Sequence, residues 1–414
     1  MRWIDRWIGA PICFFLTMVQ WVGGMLSHRA KPLDGPHRIA FLEMAEMGAI
    51  VAAYPAIQRT RARFPKADLY FITFAQGRDI VELIGITDAE RQILIRSDSL
   101  ATFAIDTLMA LVRLRRQRVD AIVNLEVYSR YGTILSYLSG AKQRVGFHNF
   151  REAGGYVGDL VTNRLIYNPH IHIAQSYAAL VEALGESSSR QPAVRRVIDD
   201  VRNQRLLVPS KQAAALAVSD RLAEHFRQLS PQTKIILVNA NASDLIPLRR
   251  WPMENFVELG RLLIANLDCI VVLTGSRSER DSAETLRASL DRDRVANFAG
   301  ETSLVELIEL YHMSDLLITN DSGPAHFVGF TNLPSIVLYG PETPKIFGSM
   351  APSAKTIYLG LPCSPCISVY NQKRSSCQDN QCMKQITVDH VFEKATAVLT
   401  ARPSSYENPP LELR

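Results

Sequence analysis

Small polar residues follow a short apolar run late in the chain, and their types suit the binding of a phosphate. Residues 316–319 are apolar and β-prone and predict a buried parallel strand, and residues 320–323 read Asn-Asp-Ser-Gly, which favours a tight turn. Pro324 stands where the next helix should begin. A second predicted strand, 334–339, leads to Gly-Pro and a helix start at 343–344. Two such turns at neighbouring strand ends form a crevice, and their N–H groups favour a phosphate.

Paired arginines precede a second helix start. Residues 239–252 read N-A-N-A-S-D-L-I-P-L-R-R-W-P, so a predicted strand end leads through small polar residues to Arg249 and Arg250. A guanidinium group binds two phosphate oxygens at once, so this loop suits a phosphate as well. The alternative is a capped turn whose arginines are merely exposed.

Acidic residues stand at the ends of predicted strands in the first half of the chain. Glu43 ends the strand predicted at 38–43, Glu46 lies in the turn after it, and Glu126 follows the strand predicted at 121–125. A carboxylate on an apolar rim can have its pKa raised toward the working range of a general base. These three residues are therefore alternative candidates for a catalytic base.

Four of the six cysteines form a spaced set near the C-terminus. Cys363, Cys366, Cys377 and Cys382 are separated by two, ten and four residues, which is compatible with four thiolates around a structural zinc. Free thiols in a reducing cytosol are an equally good interpretation, and disulfides come third. Six cysteines among 414 residues do not predict a disulfide scaffold.

The elements that would position these residues alternate between strand and helix, which predicts parallel sheets covered on both faces. The chain has 414 residues, of which 47% are hydrophobic, so two cores are expected. We place one α/β domain at 36–205, a second at 206–400 and a tail at 401–414. The net charge of +5 is too small to indicate a nucleic-acid partner.

The first 35 residues form a separate segment and linker. Residues 7–26 are an apolar stretch whose length would just span a bilayer, but Pro11 and Gln20 interrupt it, and no convincing cleavage site marks a signal peptide. Trp7 and Trp21 suit an interfacial anchor. We predict membrane attachment, either lying in the interface or inserted; a helix packed on the protein's own surface is the alternative.

Four arginines lie between residues 113 and 118. They either form a solvated face or meet anionic lipid or acceptor phosphate.

The motif D-S-G-P-A-H, followed by a strand and Y-G-P-E-T-P, resembles the donor-site signature of glycosyltransferase family 9, the ADP-heptose:lipopolysaccharide heptosyltransferases. The resemblance extends from about residue 38 to about residue 399. It implies a B-type glycosyltransferase fold, with two Rossmann-like α/β domains facing a central cleft and, in this chain, an N-terminal hydrophobic helix. By the same resemblance, 36–205 is the acceptor domain and 206–400 is the nucleotide-sugar donor domain. It also implies a set of donor-binding residues: Asn241, Ser243, Arg249, Arg250, Glu279, Gly300, Asp321, Ser322, Gly323 and His326. Helix capping by Glu279 and packing by His326 are the alternatives for those two residues.

The resemblance weakens at the first strand-to-helix turn. Family members have Gly-Asp there, with the aspartate as general base, whereas this chain has Gly48 and Ala49. The leading interpretation is an inverting transferase that moves a sugar, most plausibly heptose, from a nucleotide donor to a lipid-linked or saccharide acceptor at the cytoplasmic side of the inner membrane. No Asp-x-Asp pair occurs at the predicted crevice, so no metal is required for catalysis. The alternative, favoured by Ala49, is a membrane-attached sugar-nucleotide or glycan-binding protein without turnover.

Overall fold

The computed structural model describes residues 5, 7–26, 35–44, 46–150, 155–186, 192–226, 230, 232–242 and 246–401, with backbone only for 24–26. The chain divides into two compact units. Unit 1 comprises Met1–Gln204 together with Val369–Gln372, and unit 2 comprises Arg205–Ser368 and Lys373–Arg414. Each unit has its own parallel sheet and is described separately.

Unit 1 contains, among its described residues, a six-stranded sheet in the order β3-β2-β1-β4-β5-β6. All of its strand pairs are parallel. The strands are β1 (Arg38–Leu42), β2 (Asp68–Phe74), β3 (Gln92–Ile95), β4 (Ala121–Asn124), β5 (Gln143–Phe147) and β6 (Asn163–Leu165). The helices are α1 (Gly9–Leu26), α2 (Met47–Ala52), α3 (Tyr54–Arg63), α4 (Arg78–Leu83), α5 (Leu100–Arg116), α6 (Arg130–Leu138) and α7 (Ile173–Glu182).

Unit 2 repeats this architecture with the strand order β12-β11-β10-β7-β8-β9 in its described part, again with parallel pairs throughout. The strands are β7 (Lys234–Asn239), β8 (Cys269–Leu273), β9 (Val295–Asn297), β10 (Leu316–Asn320), β11 (Ser335–Tyr339) and β12 (Ala354–Tyr358). The helices are α8 (Gln212–His225), α9 (Met253–Asn266), α10 (Arg280–Ala288), α11 (Leu304–Met313), α12 (Gly323–Phe327), α13 (Pro344–Phe347), α14 (Gln381–Lys384) and α15 (Val388–Thr400).

The central strands are apolar because both faces of each sheet are covered. Every residue of β8, β10 and β11 is buried, which is typical of parallel sheets with helices on both sides. In unit 1, side chains from one face of β1, β2 and β4 pack with Ala110 and Leu114 of α5 and Leu135 of α6. The predicted B-type fold with two Rossmann-like units is thus confirmed at the level of strands and topology.

Helix α1 lies along unit 1 and contacts it through one face. Cys13 and Thr17 are buried, and a Cβ on Gly158 would lie 2.8 Å from the Cys13 carbonyl oxygen, so a glycine is needed for this close approach. The Thr17 hydroxyl accepts a hydrogen bond from the Asp159 N–H (3.0 Å), and Gln20 Nε2 donates to the Asp159 carbonyl (2.8 Å). No helix within the described ranges is long and apolar enough to cross a membrane.

Candidate active site

The turns that carry the predicted donor residues follow four adjacent strands of unit 2, in the order β10, β7, β8 and β9. β10, β7 and β8 are neighbours, and Thr319 pairs with Asn239 while Val238 pairs with Leu273. The strands therefore end at one edge of the sheet, as the sequence predicted. Ser243 lies outside the described residues, so its predicted role stays a prediction.

Asn320, at the end of β10, ties the Asp-Ser-Gly turn to the arginine loop. Its Oδ1 accepts from the Trp251 N–H at 3.1 Å, and its Nδ2 donates to the Ala240 carbonyl at 2.9 Å and to the Asn241 carbonyl at 3.3 Å. The side chain is fully buried, so these bonds satisfy polar groups that water cannot reach. Sequence reasoning treated Asn320 only as a turn residue; an amide side chain at the end of a strand predicted to be buried was the available signal.

Arg249 is buried between two carboxylates. Its Nε lies 3.5 Å from Asp321 Oδ2, and its Nη2 pairs with Glu342. The three side chains are 5%, 3% and 1% exposed, respectively, so the cluster holds one positive and two negative charges out of solvent. Within the described residues, Glu342 Oε1 has no hydrogen-bond partner. Arg249 and Asp321 are thus brought together as the predicted site requires, and Glu342, from the motif Y-G-P-E-T-P, is a site residue that sequence reasoning missed.

The charges of this cluster affect the pKa of a nearby tyrosine. Burial, followed by the negative charge of Asp321, raises the pKa of Tyr339 well above its ordinary value. The hydroxyl therefore stays protonated at neutral pH. The Tyr339 O–H donates to the Phe347 carbonyl oxygen at 3.5 Å.

Arg250 faces the opposite side of the same loop. Its Nε and Nη2 donate to the Ala242 carbonyl oxygen at 3.1 and 2.7 Å, and the side chain lines a cavity of about 370 Å³. Asn241, Ser282 and Lys384 also line this cavity, and the Ser282 hydroxyl donates to Asn241 Oδ1 at 3.1 Å. Glu254 lines the cavity too, and Lys384 pairs with Asp379 at 2.6 Å, so Arg250 is the main group there that can attract an anion.

Glu279 and Gly300 lie in two loops that contact each other. Glu279 Oε2 accepts from the Ser276 N–H at 2.7 Å and completes a capping box, so the alternative of helix capping is present in the structure. The Gly300 N–H donates to the Gly275 carbonyl at 2.9 Å, and Gly300 has φ of 74°. A Cβ on Gly300 would lie 2.7 Å from the Arg277 Cα, so both conformation and space require glycine. The nucleoside contacts of both residues stay predictions.

The remaining predicted donor residues follow Asp321. The Ser322 hydroxyl donates to the Asn320 carbonyl at 3.2 Å and lies 3.4 Å from the Thr319 hydroxyl. Gly323 begins α12, with Pro324 in its first turn. His326 is half-buried in α12. The turn is therefore built as the sequence predicted, whereas the contacts of these residues with a donor stay predictions.

The candidate carboxylates lie in unit 1. Glu43 is only 2% exposed, and Glu43 Oε2 accepts from the Tyr177 hydroxyl at 3.2 Å. Glu126 is half-buried, and its Oε1 accepts from the Met44 N–H at 3.1 Å, so Glu126 reaches the backbone beside Glu43. Glu46 is half-buried at the N-cap of α2, where its side chain makes no capping bond.

Tyr177 supports the buried member of this set. It is fully buried, and burial, then the charge of Glu43, raises its pKa well above the ordinary value. The phenol therefore stays protonated and donates to Glu43. Tyr177 was not singled out from the sequence, because it is 134 residues from Glu43 and lies in a helix that the pattern did not predict.

The four C-terminal cysteines lie near one another but do not converge. Cys363 is exposed, Cys366 and Cys377 are half-buried, and Cys382 is buried. Burial, and then the neighbouring Cys366, Cys377 and Cys363, raise the pKa of Cys382 to about 11. Over the described ranges, no three His, Cys, Asp or Glu side chains are close enough together to hold a metal ion. The zinc site stays a prediction.

Comparison with known proteins places these features in a family. The family model for glycosyltransferase family 9 (heptosyltransferase) matches residues 110–376. Lipopolysaccharide heptosyltransferase 2 of Escherichia coli is 31% identical over 159 residues, which are 37% of this chain and 43% of that protein. The chain thus spans less than half the length of this relative. The lipopolysaccharide core heptosyltransferase OpsX of Haemophilus influenzae is 23% identical over 75% of this chain and 81% of its own length.

Solved structures show the same fold. The structure of E. coli ADP-heptose lps heptosyltransferase II matches with a TM-score of 0.66 at 19% identity, over 88% of this chain and 99% of that one. A glycosyl transferase family 9 structure from Veillonella parvula gives a TM-score of 0.67 at 18% identity, over 90% and 99%. At these identities the likeness concerns the fold.

Proposed function

Because the chain belongs to glycosyltransferase family 9, we propose that it is an inverting transferase that moves heptose from an ADP-heptose-type donor to a lipopolysaccharide-core or related saccharide acceptor. The observation that carries the proposal is the meeting of the Asp-Ser-Gly turn and the arginine loop, through Asn320, Arg249 and Asp321, at the strand ends of unit 2. The names of the relatives support heptose as the sugar.

The reaction would be a direct displacement at the anomeric carbon. The acceptor oxygen forms the new bond on one face of the sugar, the bond to the diphosphate oxygen breaks on the other, and the acceptor proton passes to a carboxylate. Arg249 and Arg250 would stabilise the charge of the departing diphosphate. Arg250 is the more accessible of the two, since Arg249 is enclosed by Asp321 and Glu342.

Glu126 is the carboxylate that we propose as the base. Ala49 cannot accept a proton, and Glu43 is nearly inaccessible and already accepts a hydrogen bond from Tyr177. Glu126 is half-buried at the end of β4, and the hydrogen bond from the Met44 N–H fixes the orientation of its carboxylate. Nothing in the comparisons favours the alternative of a binding protein without turnover.

Turnover and binding test this proposal together. ADP, GDP, UDP and CMP are titrated into the purified protein, and ADP release from ADP-heptose with a lipopolysaccharide-core acceptor is then followed. We expect selective ADP binding, and a kcat that falls about 10²–10⁴-fold in Glu126→Gln with ADP affinity unchanged. Glu90→Gln, at an exposed position of the same unit, is the control. Full turnover in Glu126→Gln would exclude Glu126 as the base, and binding of no nucleotide would overturn the donor site.

We also propose that α1 holds the enzyme at the cytoplasmic surface of the inner membrane, where a lipid-linked acceptor is presented. One face of α1 packs on the rest of unit 1. Between 59% and 64% of the residue is exposed for Trp7, just before the helix, and for Phe14, Phe15, Trp21 and Val22 on its other side. Large apolar side chains with tryptophans near both ends are typical of a helix that lies in the membrane interface.

A further inference from the structure

Helix α5 (Leu100–Arg116) is apolar on two faces, and only one of them is covered. Ala110 and Leu114 pack in the core of unit 1, with Phe103 against it. A second row of large apolar side chains points to solvent, with exposures between 42% and 64%: Leu100, Ile105, Leu108, Met109 and Val112. The last four are spaced three, one and three residues apart, so they form one stripe along the helix. A continuous exposed apolar row of this size marks an interaction surface.

This outward row belongs to the same layer of unit 1 as α1. Helix α6 lies between the two: its Tyr131 ring packs 4.9 Å from the Phe103 ring of α5, and the Tyr131 hydroxyl lies 2.9 Å from the Thr107 hydroxyl. On its other side, a Cβ on Gly9 of α1 would lie 2.8 Å from Arg130 Cβ, so α1 and α6 are in close contact. The exposed rows of α5 and α1 therefore lie on one face of the sheet of unit 1.

Positive charge borders the outward row of α5. The helix ends with Arg113, Arg115 and Arg116, and Arg118 follows. Arg113 and Arg115 donate to the carbonyl oxygens of Gln92 and Leu138, so these bonds leave their charges uncompensated. Arg116 and Arg118 are exposed. Apolar side chains beside guanidinium groups match the acyl boundary and headgroups of an anionic bilayer.

We infer that the outward face of α5, with its arginines, is a second membrane-contact surface that binds anionic lipid and acts together with α1. The inference deepens the proposed attachment through α1 and rests on it. Charge complementarity favours lipid as the partner of this surface. The arginines beside the row are all positively charged, so they attract an anionic lipid surface and repel the same arginines of a second copy of the chain. Two helices on one face would hold unit 1 in a fixed orientation on the membrane.

Vesicle co-sedimentation of the full-length protein tests this inference, with phosphatidylcholine vesicles and with vesicles that also contain phosphatidylglycerol. Leu108→Gln/Met109→Gln should weaken partitioning into both at least about tenfold, because two exposed apolar side chains are lost. Leu216→Gln, at a 58% exposed leucine of α8 in unit 2, should bind as the wild type does. Circular dichroism checks that each variant is folded.

The arginines are tested separately. Arg116→Gln/Arg118→Asn should weaken binding to the anionic vesicles only, by about fivefold for each arginine, and the difference should vanish at high salt. Lys66→Gln/Arg78→Gln removes two exposed cations elsewhere on unit 1 and should have no effect.

Three results would overturn the inference. If both α5 variants bind like their controls while Phe14→Gln/Phe15→Gln in α1 loses binding, α5 is not a contact surface and the proposed attachment through α1 stands. If none of these variants loses binding, both the inference and that attachment fail. If Leu108→Gln/Met109→Gln instead converts an oligomer to a monomer by light scattering, with vesicle binding unchanged, the row is a contact between copies of the chain.

Discussion

Arg249 shows how a single buried residue limits what the predicted donor site can do. Its guanidinium group is shared between Asp321 and Glu342, and all three side chains are almost completely out of solvent. Removing the cation from such a cluster leaves two buried carboxylates and costs about 3–5 kcal/mol of stability. Loss of ADP binding in Arg249→Ala would therefore not separate a lost phosphate contact from a damaged fold.

Glu342→Gln is the sharper test of this cluster. The substitution keeps the shape of the side chain and removes one of the two negative charges beside Arg249, so repulsion of an incoming diphosphate decreases. We expect ADP to bind several-fold more tightly, by about 1 kcal/mol, as measured by isothermal titration calorimetry. Glu258→Gln, at an exposed position of α9, should leave the affinity unchanged. Weaker ADP binding in Glu342→Gln would show instead that Glu342 positions Arg249 for the phosphates.

At the scale of elements, the sequence predicted the strands that carry the site but not all the helices around it. β8 is an uninterrupted apolar run and β10 begins with one, Leu316–Ile318, and turn residues follow both strands, so the pattern predicts buried strands. Helix α7 was not predicted because it is buried on nearly every side and shows no periodic polar face. Strand β12 is an edge strand with two exposed residues among five, which weakens its apolar signal.

The site residues that escaped prediction are those whose partners lie far away along the chain. Glu342 pairs with Arg249 across 93 residues, and Tyr177 bonds Glu43 across 134. Neither pairing leaves a local pattern, since it arises only when parallel strands bring their ends to one edge. The resemblance to family 9 identified the loops that we predict to bind the donor, and the departure at Ala49 was visible from the sequence as well.

The contact between the Gly275 and Gly300 loops predicts a specific response to substitution. Gly300→Ala adds a Cβ at positive φ and within 2.7 Å of the Arg277 Cα, whereas Gly85→Ala also has positive φ (58°) but no atom within 4 Å. Both variants should lose about 1–2 kcal/mol through the backbone conformation. Only Gly300→Ala should lose more and weaken ADP binding, because its loops must separate. Urea unfolding and calorimetry measure both effects; equal losses in the two variants would contradict a role for the close approach.

The four-cysteine segment of unit 2 gives a second prediction at this scale. Burial, and then the neighbouring thiols, raise the pKa of Cys382 to about 11, and a zinc ion would lower that pKa by stabilising the thiolates. Because the thiols do not converge, uptake would require their side chains to rotate. We predict about one zinc per chain by elemental analysis, lost in Cys382→Ser and retained in Cys269→Ala. A content well below one zinc per chain would leave four free thiols as the correct interpretation.

At the scale of the whole molecule, each unit contains a thiol that its core encloses almost completely. Cys13 lies in the contact between α1 and unit 1, and Cys269 begins β8 in unit 2; they are 0% and 1% exposed. Burial raises the pKa of each thiol from an ordinary value of 9.0 to about 12. The stability of the packing of α1 in unit 1 and the stability of the core of unit 2 should therefore both depend on pH.

The sign of this linkage follows from which state loses the proton first. Between about pH 9 and pH 12 these thiols are ionised in the unfolded chain but protonated in the folded protein. The free energy of unfolding therefore has its maximum contribution from these thiols below pH 9, and this contribution falls as the pH rises. Each thiol contributes about 1.4 kcal/mol per pH unit in that range. Urea unfolding at pH 8 and pH 10.5 should show a smaller fall for Cys13→Ala than for the wild type, whereas Cys363→Ala, at an exposed thiol, should match the wild type. An equal fall in Cys13→Ala would mean that Cys13 is not protected in the folded protein, and hence that α1 is not docked on unit 1 in solution.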